Sequence, residues 1–162
     1  MKIKILILCV LLCLLTSCKN TDTNDLNALR YDNLKNNLLT NRYFSSNSKF
    51  YDLNIEINKI KDNDYRFYMI IDNPKIAMHN IQALVMVDDL DIDNEFAANY
   101  GIFENQRTNM IPYQYDIDKN YLKGIIISGS TKKANPKFRI IVSYQNELHT
   151  KNHIDYIYKE IN

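Results

Sequence analysis

Phe50-Tyr51-Asp52-Leu53-Asn54-Ile55-Glu56-Ile57-Asn58-Lys59-Ile60, then Lys61-Asp62-Asn63-Asp64, then Tyr65-Arg66-Phe67-Tyr68-Met69-Ile70-Ile71 is the stretch that decides the fold. In the first run Leu53, Ile55 and Ile57 alternate with Asp52, Asn54, Glu56 and Asn58, the period of two that a half-buried strand requires. The second run places Tyr65, Phe67, Met69 and Ile71 on one face and stops at Asp72-Asn73-Pro74. A polar loop over 61–64 joins them, so the pair reads as a β-hairpin.

The same period continues toward the C-terminus. Residues 81–87 are apolar on both faces apart from Gln82, which predicts a strand covered from two sides. Further strands are expected over 110–117, 121–128, 137–144 and 154–161. Asp118-Lys119-Asn120, Ser128-Gly129-Ser130 through Asn135-Pro136, and 146–152 punctuate them. Residues 96–103, around Gly101, read as a short helix or an irregular connection. About seven strands at this spacing predict an antiparallel β-sandwich resembling immunoglobulin-like modules, without their disulfide or core Trp. The alternative is an α+β domain with a helix laid on one sheet. That helix is expected over 25–41, capped by Thr23 or Asn24, because Leu26, Leu29, Tyr31, Leu34 and Leu38 recur at three and four. Its asparagines are poor helix formers, so it should depend on docking its Leu face rather than on propensity.

Ahead of this domain lies a different kind of sequence. Lys2 and Lys4 precede an apolar run over 5–15, of signal-peptide length and too short for a comfortable membrane span. Leu15-Thr16-Ser17-Cys18 closes it, and Lys19-Asn20-Thr21-Asp22 follows. The four-residue motif resembles the lipobox of bacterial lipoproteins. That resemblance covers only the first twenty or so residues, and it implies export, cleavage before Cys18 and acylation of Cys18. Residues 1–17 are then a signal peptide, 18–24 a lipidated tether and 25–162 one domain. Several acyl chains matter because each buried methylene contributes about 0.8 kcal/mol, so one chain holds a protein only marginally. The implied location is the cell envelope, lipid-anchored, with the domain outside the cytoplasm.

Composition narrows the chemistry. The chain carries 20 Lys+Arg against 19 Asp+Glu, and two of the lysines leave with the leader, so no basic excess points to nucleic acid. Of 3 Cys, two sit in the leader and the third is Cys18, which leaves the domain without a disulfide or a thiol nucleophile. His149 and His153 have zinc-pair spacing only if helical, Thr150 stands where a zinc protease needs Glu, and His79 stands alone in sequence. Ser128-Gly129-Ser130 lacks the nucleophile-elbow pattern, and 3 Gly in the whole chain leave no phosphate-cradling loop. Asp89, Asp91 and Asp93 match the first ligand positions of a calcium loop. Asn94 then replaces the turn glycine and Tyr100 the twelfth-position Glu, so the stretch 88–95 reads foremost as a solvated acidic loop or edge. No cofactor is expected.

Aromatic composition is more suggestive. There are 12 Tyr and no Trp, and Tyr43, Tyr51, Tyr100, Tyr113, Tyr115 and Tyr121 fall near strand ends or in loops. Tyr offers large contact area with a polar tip, and it is equally a favoured strand residue, so these read either as packing or as a contact face. Tyr113, Tyr115 and Tyr121 are the candidate binding residues. The expected function is a membrane-anchored surface lipoprotein that binds a protein without catalysis. The alternative is an inward-facing envelope accessory or immunity lipoprotein. A two-lobed substrate-binding protein needs more chain than this.

Overall fold

A computed structural model describes residues 23–87, 96–104 and 106–161. The expected leader, Cys18 and most of the expected tether lie outside the described residues, as does the acidic stretch 88–95 with Asp89, Asp91 and Asp93. In chain order the elements are helix α1 (Thr23–Thr40) and strands β1 (Asp52–Lys61), β2 (Asp64–Asp72), β3 (His79–Val87), β4 (Ala98–Tyr100), β5 (Gly124–Thr131), β6 (Lys137–Gln145) and β7 (Asn152–Glu160), with a 3-10 turn at Ile117–Lys119 before β5.

The hairpin forms as its alternation dictates. Leu53 pairs with Ile71, Ile55 with Met69 and Ile57 with Phe67, so both apolar faces point inward together. Its turn is tighter than the sequence suggested: Lys61 pairs with Asp64, and Asn63 takes the left-handed conformation that a short hairpin loop needs (φ 57°). The strands form two antiparallel sheets, β1-β2-β5 and β4-β3-β6-β7. Lettered as in immunoglobulin domains, that is A-B-E facing C′-C-F-G. Between the sheets lies a core that includes Phe67, Met69, Ile71, Ala83, Val85, Phe138, Ile140 and Val142.

The two expected architectures merge, because α1 lies on the outer face of the four-stranded sheet. Tyr31, Leu34 and Leu38 pack there on Leu84, Met86, Ala97, Ile102 and Ile141. This is why β3 is apolar on both faces: Ala83 and Val85 face the opposite sheet, while Leu84 and Met86 face the helix. Contacts of the helix begin at the β4 edge, where Tyr31 stacks on Phe96 at 4.3 Å, and the segment after the helix continues them to the β7 edge, where Phe44 meets Tyr156. The Tyr31 hydroxyl accepts a hydrogen bond from the buried N–H of Ala97 at 2.8 Å.

Four expectations are corrected. Leu26 and Leu29 are 47% and 57% exposed, so only the later part of the Leu stripe docks. Thr23 is already helical, so the helix starts before residue 25 and neither Thr23 nor Asn24 caps it. Residues 110–117 are not a strand, because Pro112 cannot donate to a ladder and the chain turns at Pro112-Tyr113 instead. The seventh strand is β4, and β5 begins three residues later than expected. Gly101 follows β4 with φ 72°, and a Cβ there would sit 2.0 Å from the Ile81 carbonyl oxygen, so no other residue fits.

Candidate functional site

Antiparallel pairing throughout brings three connections to one end of the sandwich: residues 73–78, 101–123 and 146–151. In immunoglobulin lettering two of these are the B–C and F–G loops, which cluster at the recognition end of variable domains. The longest connection is tied down by backbone bonds. Met78 and Met110, both fully buried, exchange N–H···O bonds of 2.8 Å, and the Ile81 N–H donates to the Thr108 carbonyl at 3.0 Å. Asn109 braces its base further. Its side-chain oxygen accepts from the Asn80 N–H at 3.2 Å and lies 3.1 Å from His79 Nδ1.

From this base a bonded loop projects. Asn109 donates to the Asn120 carbonyl, Leu122 donates to the Asn109 carbonyl, and Asp116 and Tyr121 bond each other in both directions, all at 2.9–3.0 Å. Lys119 closes the return on Asp116 at 3.0 Å, and its hydrogen bond holds the Asp116 carboxyl below the usual carboxylate range. At the tip the Gln114 N–H donates to the Ile111 carbonyl at 3.1 Å. Pro112 is the second residue of that turn and Tyr113 the third, with φ 63°. A third residue with positive φ is the mark of a type II turn, where Gly or Asn is normal. A large aromatic side chain there is an outlier of the kind that collects at functional sites.

Tyr113 is 108% exposed, so its side chain stands in solvent and buries no surface against the described residues. Tyr115 and Ile117 are exposed beside it, and Lys123 Nζ lies 5.2 Å from the Tyr115 ring centre. Tyr121 sits half-buried at the loop base. Two of the three candidate tyrosines therefore share an exposed tip, and the third braces it. Among the other tyrosines, Tyr51 is buried in the core, Tyr100 is half-buried on β4 and Tyr43 is exposed elsewhere.

The histidines separate in a way that spacing did not foretell. His79 is buried against His149, with ring centres 4.3 Å apart, whereas His153 stacks on Tyr144 at 5.4 Å. Tyr144 meets Tyr51 edge-on, and Ser48 donates to Asp155 at 2.8 Å close by. Burial first, then the Asp155 charge, pushes both phenols well above their usual range. Among the described residues no group of three or more His, Cys, Asp and Glu is placed to hold a metal ion. Neither a protein-family model, nor a curated protein, nor a solved structure matches the chain.

Proposed function

We propose that the chain is a lipid-anchored, non-enzymatic protein-binding module of the cell envelope that engages its partner through the loop tip at Tyr113, Tyr115 and Ile117. The observation that carries this reading is Tyr113, a fully exposed aromatic held in a left-handed conformation on a hydrogen-bonded loop. Tyr is enriched at binding hot spots because it brings a rigid, amphipathic contact surface at a small cost in side-chain entropy. Pre-bonding of the loop lowers the ordering cost on association. The anchor rests on the leader and on Leu15-Thr16-Ser17-Cys18, with acyl chains on Cys18, and the domain faces outward.

The test places a photo-crosslinking amino acid at position 113, and separately at 62 in the distant hairpin turn, in intact cells. A single adduct from 113 and none from 62 is the expected result; equal patterns from both would remove the loop from the reading. Protease shaving of the same cells decides orientation. Digestion of the domain fits an outward-facing surface protein, and protection would move it to an inward-facing envelope accessory.

A further inference from the structure

We infer that a cavity at the opposite end of the four-stranded sheet binds a small soluble organic anion, a phosphate or carboxylate carrying a flat apolar group. The cavity is about 580 Å³, within the range of small-molecule sites. It opens where α1 has ended and no longer covers the sheet. Arg139 on β6 and Tyr158 on β7 are cross-strand partners on the outer face, one side-chain step along from the pair Ile141 and Tyr156 that the helix region covers. Arg42 comes from the chain just past the helix, so the cavity joins two guanidinium groups from distant parts of the sequence.

Three features point to an anion with a ring. Arg42 and Arg139 are both exposed, and among the described residues neither has a carboxylate within salt-bridge distance. Glu160, the acid next along the Tyr158 face, is already engaged by Lys137 at 2.9 Å and by the Tyr158 hydroxyl at 2.8 Å. Two guanidinium groups without a described carboxylate partner match the oxygens of a phosphate or carboxylate, which they bind through paired hydrogen bonds. The aromatic wall is Phe44 and Tyr158, with ring centres 6.3 Å apart. The third feature is a rim that is already ordered. Ser45 is bonded to β7 in both directions, donating to the Tyr156 carbonyl at 2.9 Å and accepting from the Tyr158 N–H at 3.0 Å, and the Asn41 side chain donates to the Tyr43 carbonyl.

The experiment titrates the full-length chain, in neutral detergent micelles, with phenyl phosphate by calorimetry, alongside inorganic phosphate and phenol. Saturable binding of phenyl phosphate, tighter than either fragment and weakened by added salt, is expected. Arg139→Gln and Arg42→Gln should each weaken it at least about tenfold, and Arg139→Lys should fail to restore it because an ammonium cannot make the paired contact. Arg66→Gln, on the other sheet, should leave it unchanged. Because both guanidinium groups are exposed and have no described carboxylate partner, these variants should fold, and unchanged thermal unfolding checks that. Absence of saturation, or wild-type affinity in Arg139→Gln, would overturn the proposal. An effect of Arg139→Gln confined to phosphatidylglycerol vesicles would overturn it too, since the anion would then be a lipid headgroup.

Discussion

Tyr113 holds a backbone conformation that costs a residue with a Cβ roughly 1–2 kcal/mol relative to Gly. Tyr113→Gly should therefore raise stability, by up to about 1 kcal/mol once the greater freedom of Gly in the unfolded chain is subtracted. Urea unfolding measures this, and a loss of stability would reveal a packing role for the ring. Gly129 sits opposite Phe67 in the β2–β5 ladder, and a Cβ there would lie 2.5 Å from the ring's Cζ. Phe67 is itself wedged against Phe138 at 5.0 Å, so Gly129→Ala should cost about 1–3 kcal/mol through overpacking. Phenol ionisation should weaken the fold at alkaline pH. Burial raises the pKa of Tyr31, Tyr51 and Tyr144 in the folded state, so the folded chain keeps protons that the unfolded chain releases at its ordinary value of about 10. Stability is full below that pH and falls as pH rises above it. Unfolding measured from neutral to strongly alkaline pH should show this decline, and the decline should shrink in Tyr144→Phe.

Helix α1 is stable because it is docked, and its two halves differ accordingly. Leu38 is fully buried against the sheet, so Leu38→Ala should cost about 2–5 kcal/mol. Leu26→Ala, at an exposed position, should change stability by less than about 0.5 kcal/mol. Equal effects at the two sites, read by thermal unfolding, would contradict the packing described. Apolar spacing revealed the helix but not how much of it docks, since spacing records a face and not the extent of the surface beneath it. Residues 110–117 taught a related lesson. Their apolar residues mimic a strand, yet Pro112 removes a donor and the local bonds close a loop. Meanwhile β4, with three residues, is too short for any period to be seen.

As a whole the molecule is a two-sheet sandwich with a helix across one face, a projecting aromatic loop at one end and a cavity holding two guanidinium groups at the other. If Cys18 is the anchor, Cys18→Ala should release the chain from membranes into the soluble fraction with unchanged thermal unfolding, because residue 18 precedes every described element. Continued membrane attachment of the variant would refute the anchor. By itself the sequence determined what is local. Alternation of period two makes strands, apolar residues on both faces of 81–87 demand two covering layers, and the apolar run over 5–15 ahead of Cys18 carries the proposed export and anchoring. Tertiary structure alone decided what joins distant residues: β4 in place of 110–117, His79 against His149, Tyr113 alone in solvent, and Arg42 beside Arg139. The physical reason is that hydrophobic period is written residue by residue. Which strands pair, and which loops meet at an end, depends on how complete sheets bury their faces together.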